Sequence, residues 1–267
     1  MIDFHNHVLP NADDGPKEMK VSLDMLRCAS DQGITEIVQT IHYQHPKMEE
    51  KNTDYNYLQN KIQQLQENID KENLGITMHL SAEVFYLPNL LKIKSNPLLT
   101  LGNNKYMLIE FSTNIFPQFY EQQFFELQSA GITPIIAHPE RYRFIQSDIS
   151  ILDSWIERGY VIQIDAGSFI GNFGNKTQNF VFKMIENGYI HIIGSDAHNN
   201  KKRNFCIKEV YDFLSDKYSL DSVNHLKKNV INILKGKRVD NILFKKKKEN
   251  KGKIVYNLIK KVSKLLK

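Results

Sequence analysis

Short apolar runs alternate with longer amphipathic stretches along most of this chain. The runs near 1–5, 35–41, 76–82, 105–111, 133–138, 160–165 and 190–195 are brief and rich in Ile and Val, and they read as strands. Residues 17–31, 54–73, 119–129, 148–158 and 176–187 lie between them with the pattern of helices. Two more helices, about 204–217 and 222–235, follow the last strand. Gly33, Gly131, Gly159 and Gly188 each fall after a helix and before a strand, where a left-handed residue ends a helix. Alternating strand and helix with near-continuous apolar strands predicts a parallel sheet covered by helices. Seven strands predict a closed or nearly closed barrel rather than an open doubly wound sheet. No internal repeat and no Gly/Ser-rich linker interrupts residues 1–240, so the body reads as one domain.

The 267 residues suffice for one barrel of this type. No apolar run reaches eighteen residues, so no membrane span is expected, and with the metal-type motif beginning at residue 5 no signal peptide is expected ahead of the first strand. Cys28 and Cys206 lack C-x-x-C spacing and are expected to be free thiols in a reducing, cytoplasmic setting. The net charge of +5 is misleading. Residues 245–267 hold ten lysines against Glu249 alone, which leaves 25 basic and 29 acidic residues in 1–244. An acidic body gives no footing for nucleic-acid binding.

The polar residues at the strand ends carry the chemistry. The first strand runs into His5-Asn6-His7, and side chains at i and i+2 point the same way. Asp13-Asp14-Gly15-Pro16 follows as a turn that returns carboxylates to that end. The second strand ends at His42, the third at Glu83, the fourth at Glu110, the fifth at His138, the sixth at Asp165, and the seventh at Asp196 and His198. Barrel active sites are assembled at the C-terminal ends of the strands. Any one of these residues could be a satisfied loop histidine or a solvated carboxylate, but seven strand ends in succession point to a metal site. Imidazole with carboxylate suits zinc, manganese or iron better than magnesium or calcium. His5, His7, Asp14, His42, Glu83, Glu110, His138, Asp196 and His198 make nine donors, too many for one four-coordinate ion, so two or three divalent ions are expected.

Arg141 and Arg203 flank the site in sequence. They read either as surface arginines or as bidentate clamps on phosphate oxygens. No cysteine is followed by arginine six residues on, and neither GxxxxGK[ST] nor GxGxxG occurs.

These motifs resemble the PHP family, named for polymerase and histidinol phosphatase. Within it they are most similar to the manganese-dependent tyrosine-protein phosphatases of Gram-positive capsule and exopolysaccharide operons. HNH at 5–7, DDGP at 13–16, T-x-H at 40–42, AE at 82–83, IEFS at 109–112, AHPERY at 137–142 and SDAHN at 195–199 carry the likeness, which spans about 1–240. It implies a distorted (β/α)7 barrel holding three metals, most plausibly Mn2+. It assigns one ion to His5, His7 and Asp196, a second to Glu110 and His138 with Glu83 bridging, and a third to Asp14, His42 and His198. The implied reaction is hydrolysis of phosphotyrosine on a membrane-associated bacterial tyrosine kinase by a metal-bound hydroxide, with Arg141 and Arg203 neutralising the phosphate. The branch often carries a second His or Arg after the strand-two histidine, where this chain has Tyr43 and, two further on, His45. Asp165 is given no ligand role. A histidinol-phosphatase-like small-molecule phosphatase and a non-catalytic membrane adaptor are the alternatives.

Two units follow, a barrel over 1–244 and a lysine-rich tail over 245–267. In the tail, Ile254, Val255, Leu258, Ile259, Val262, Leu265 and Leu266 form one apolar stripe, with the lysines mostly off it. It is too short to span a bilayer and marginal as a free helix, and it suits an anionic membrane surface at the inner leaflet, with a helix packed on the barrel or a solvated tail as the alternatives. The full-length chain is therefore expected to sediment with anionic vesicles and not with neutral ones, in a salt-sensitive way, and a chain ending at Asn241 is expected to stay in solution. Equal sedimentation of the two would remove the tether.

Overall fold

The short apolar runs fold as seven strands. A computed structural model describes residues 1–48 and 50–244, so the tail lies outside the described residues. The strands are β1 (Ile2–Asn6), β2 (Glu36–Tyr43), β3 (Thr77–Phe85), β4 (Tyr106–Glu110), β5 (Thr133–Ala137), β6 (Val161–Asp165) and β7 (Ile192–Gly194). They form one sheet in sequence order with every neighbouring pair parallel. The helices are α1 (Met19–Asp31), α2 (Tyr55–Lys71), α3 (Leu90–Ile93), α4 (Tyr120–Ser129), α5 (Arg143–Ser147), α6 (Ile151–Glu157), α7 (Ala166–Phe169), α8 (Asn175–Glu186), α9 (Ile207–Lys217) and α10 (Leu220–Leu234). The helix expected over 148–158 is shorter, because Asp148 is extended and separates α5 from α6. The sequence reading did not anticipate α3, α5 and α7, since four or five residues carry too little periodicity to be seen. Gly33, Gly131, Gly159 and Gly188 take φ of +77°, +81°, +75° and +73°, as their positions after helices require.

The barrel closes weakly. Among the described residues β1 and β7 do not form a ladder; a single bridge near their ends pairs Asn6 with Ala197. His7 N donates to Ala197 O at 2.8 Å, and Asp196 N donates to His5 O at 2.7 Å. Beneath these bonds the buried Asp3 carboxylate accepts from Ser195 Oγ at 2.5 Å and Ser195 N at 3.0 Å. Gly194 permits the approach: a Cβ there would stand 2.6 Å from His5 Cβ and 2.8 Å from Gln163 Nε2.

Strand alternation divides the interior into an apolar lower half and a polar upper half. Phe4, Val38, Leu108, Ile135, Val161 and Ile192 form an apolar cluster inside, plugged from below by Val230 and Ile233 of α10. Two and four residues further along the same faces come Thr40 and His42, Glu110, and Gln163 and Asp165. The other strand faces, with Ile41, Val84, Ile109, Ile136, Ile162 and Ile193, pack against the surrounding helices in one large outer core. Ile242 and Phe244 are also buried, so packed residues run to the end of the described chain. Among the described residues no helix is long and apolar enough to cross a membrane. Cys28 and Cys206 are free, as expected.

At the lower face, His191 is 5% exposed, and its Nδ1 accepts from Ile162 N at 3.0 Å. Burial pushes this imidazole down to about 4. Between pH 6.5 and about 4 the unfolded chain takes up a proton that the native state refuses, so the stability it contributes above pH 6.5 is lost across that window, on the order of 3 kcal/mol in full. In His191→Gln, whose amide never titrates, this acid loss is expected to vanish. Urea unfolding of both proteins at several pH values between 8 and 4 should show their stability difference shifting in favour of the variant as pH falls.

Candidate metal centre

The polar upper half of the barrel gathers all nine side chains singled out in the sequence. His5 lies in β1 and His7 just beyond it; His42, Glu83 and Glu110 come from β2, β3 and β4; His138, Asp196 and His198 follow β5 and β7; Asp14 comes from the loop after β1. All but Asp14 and Glu110 are buried. Two of the residues just past strands, His138 and Asp196, sit at φ of +32° and +49°. Such conformations are uncommon for non-glycine residues and collect at functional sites.

The donors fall into four overlapping groups, each with its ligand atoms within 4.8 Å of one another: His5, His7 and Asp196; His5, Glu83 and His138; His42, Glu83 and Glu110; and His7, Asp14, His42 and His198. Glu83 joins two groups. Its Oε1 lies 2.8 Å from His138 Nε2, and its Oε2 lies 3.3 Å, 3.4 Å and 3.2 Å from His5 Nε2, His7 Nε2 and His42 Nδ1. Glu110 and His138 stand 3.8 Å apart and both face Glu83. His7 adds to the set of Asp14, His42 and His198, a sharing the sequence did not suggest, because its ring lies 4.1 Å and 4.4 Å from those of His198 and His42. His45 reaches within 3.7 Å of Glu110 but joins no group.

The residues fit divalent cations. Glu83 Oε2 and His42 Nδ1 are buried and make no hydrogen bond, although each faces the other's kind of atom. His5 Nε2 and His7 Nε2 face each other at 3.3 Å. Buried atoms such as Glu83 Oε2 and His42 Nδ1, which face one another without a hydrogen bond, are what cations complete. The electrostatics agree. Burial raises the Glu83 carboxyl, but the imidazoles of His5, His138 and His42 outweigh it and hold it well below the usual range. Burial and the charge of Glu83 push Glu110 up to about 8. Burial, aided by Arg141, pushes His138 down to about 4, which keeps it a neutral donor.

Other residues support the donors, and of these Gln163 and Glu140 carry no signal of that role in the sequence. Asp13 Oδ2 lies 2.7 Å from His7 Nδ1, and Gln163 Oε1 lies 3.0 Å from His5 Nδ1. Each leaves the opposite ring nitrogen facing the site, which is how a neighbour orients a metal-binding imidazole. Asp165, which received no ligand role, caps α7 through Gly167 N and pairs with Arg141. Its backbone N donates to the buried Glu140 at 3.0 Å. Arg141 Nη2 and Arg203 Nη2 both donate to Asp196 Oδ2, at 2.5 Å and 2.6 Å, while Asp196 Oδ1 faces His5 and His7. Burial raises the Asp196 carboxyl, but Arg141 and His198 hold it well below the usual range. Both arginines therefore sit at the centre, and Arg203 is not a free surface residue.

Known proteins share this fold. Residues 1–235 match the family model for capsular polysaccharide synthesis, CpsB/CapC. The putative tyrosine-protein phosphatase CapC of Staphylococcus aureus is 32% identical over 240 residues, which is 90% of this chain and 93% of that one. The tyrosine-protein phosphatase YwqE of Bacillus subtilis is 33% identical over 240 residues with the same coverage. A chain from the crystal structures of YwqE of Bacillus subtilis and CpsB of Streptococcus pneumoniae, described as unique metal-dependent tyrosine phosphatases, superposes with a TM-score of 0.85 at 32% identity. That match covers 93% of this chain and 100% of the other. With its barrel and its matched length in agreement, the chain belongs to the CpsB/CapC family of capsular polysaccharide synthesis.

Proposed function

We propose that this chain is a metal-dependent protein-tyrosine phosphatase. The observation that carries the reading is Glu83, a buried carboxylate with three imidazole nitrogens around one oxygen and no hydrogen bond to that oxygen. In this reading His5, His7 and Asp196 would hold one ion and Glu110 and His138 a second, with Glu83 available to both. Asp14, His42 and His198 would hold a third, with His7 in reach of the same set. The donors suit manganese, iron or zinc, and the family resemblance favours manganese. Bound ions would supply Lewis acidity toward phosphate oxygens and a nucleophile from water at neutral pH.

The chain's own residues do the rest. Asp13 and Gln163 fix the His7 and His5 rings. Arg141 and Arg203 carry planar sets of donors at the edge of the centre, suited to the non-bridging oxygens of a phosphoryl group. A phosphate arriving there would take over donors that Asp196 Oδ2 now accepts. A tyrosyl leaving group has a conjugate pKa near 10, so it needs less protonation than an alkoxide. The substrate in this reading is phosphotyrosine on a bacterial tyrosine kinase at the membrane, which the basic tail would approach in the same plane.

In metal-replete buffer the full chain is expected to hydrolyse p-nitrophenyl phosphate and a phosphotyrosine peptide faster than histidinol phosphate. A chelator should abolish turnover and manganese restore it. His5→Ala, Glu83→Ala and Asp196→Ala should each fall below about a tenth of wild-type activity while remaining folded by circular dichroism. Faster turnover of histidinol phosphate would make the enzyme a small-molecule phosphatase, and metal binding without any turnover would make it an adaptor.

Arg141→Ala is expected to lower kcat/KM by on the order of 10²-fold, the scale for losing one preorganised donor to the transition state. Metal content, measured by elemental analysis of the same sample, should stay near wild type. Parallel loss of metal would make Arg141 a support for Asp196 only.

A further inference from the structure

Phe173 stands apart from the other aromatic residues. Its ring joins neither apolar cluster of the barrel. Instead the guanidinium carbon of Arg141 lies 3.9 Å from the ring centroid, and that of Arg203 lies 5.6 Å from it. We infer that Phe173 is a positioning residue, an aromatic platform that holds Arg141 and Arg203 together at the phosphate-binding edge of the centre. The inference rests on the phosphatase reading above and names what keeps its two cations in place.

The need for a platform follows from charge. Both arginines end on one carboxylate oxygen, Asp196 Oδ2. Two guanidinium groups that close repel each other, and a phosphate ester must draw donors from both. Arg141 has Asp165 as a second anionic partner. Arg203 has none among the described ion pairs; its further side-chain hydrogen bond is a long one of 3.4 Å to Asp196 O. Hydrogen bonds tie a guanidinium to fixed acceptors. An aromatic face attracts it through the ring quadrupole and leaves its N–H groups free in their own plane. A ring can therefore hold the pair through a change of acceptor from Asp196 to phosphate.

The turn after α7 is built to present this ring. Gly171 and Gly174 flank it at φ of +90° and +88°, a backbone that other residues rarely adopt. Gly174 N donates to Gly171 O at 3.0 Å, and Asn172 N donates to Gly167 O at 2.9 Å. Gly167 lies beside the ring, since a Cβ there would stand 3.4 Å from Phe173 Cε2. Asn172 Nδ2 donates to Lys202 O at 2.9 Å, which ties the turn to the loop that bears Arg203. The ring and the more weakly held arginine are thus fixed to one another.

The test uses the full-length, metal-loaded protein and two readouts, the Kd of inorganic phosphate by calorimetry and kcat/KM on p-nitrophenyl phosphate. Phe173→Leu is expected to weaken phosphate binding and lower kcat/KM by about tenfold, with bound metal and Tm near wild type. Phe173→Tyr, which keeps the ring, should stay within about threefold of wild type on both. In an Arg141→Ala/Arg203→Ala background, Phe173→Leu should cost less than about twofold, because its partners are gone. Wild-type phosphate binding in Phe173→Leu, or the same tenfold loss in the double-arginine background, would overturn the proposal. The phosphate measurement does not depend on turnover. If the binding pattern holds but no aryl phosphate is hydrolysed, the platform stands and the phosphatase reading falls.

Discussion

Asp196 is the residue on which the centre and the barrel both depend. Its backbone N–H closes the gap between the first and last strands by donating to His5 O. One carboxylate oxygen faces the imidazoles of His5 and His7, and the other accepts from Arg141 and Arg203. A buried carboxylate is costly unless it is paired and hydrogen-bonded. Here the compensation comes from both sides, at a residue whose backbone lies in the left-handed region. The same residue thus joins sheet closure, the donor cluster and the two arginines.

Charge explains why the surrounding residues are what they are. Several acidic and imidazole groups share a space closed to water on most sides. Glu110, raised to about 8 beside Glu83, and His138, lowered to about 4 beside Arg141, mark opposite ends of that crowding. Divalent cations would relieve the carboxylate excess and make use of the neutral imidazole. Asp13, Gln163, Asp165 and Glu140 form a second ring that holds donors and an arginine in orientation. The fold supports this polar half with an apolar plug below it, where α10 fills the barrel in place of further side-chain layers.

Much of this was legible in the chain. Short Ile- and Val-rich runs, helical patterns between them and glycines at the helix ends are local signals, and they place seven strands in order. Strand ends in a parallel barrel share one rim, so His5, His42, Glu83, Glu110, His138 and Asp196 could be brought together before any coordinates. The likeness to phosphatases of the PHP family rested on the same residues, and the family match agrees with it. Short helices such as α3 and α7 were missed because a single turn carries no period.

What the sequence by itself determined was therefore the set of elements and the supply of donors, because both are encoded by residue type at fixed spacing. Only the tertiary structure decided the pairings. Gln163 reaches His5 across 158 residues, and Asp165 finds Arg141 from the neighbouring strand. His7 is shared between two donor groups because the loop with Asp14 folds back over it. Phe173 looks like any other aromatic residue in the chain until the turn around it sets its ring beneath two arginines. Contacts of this kind depend on where distant segments meet in space, and local patterning holds no record of that.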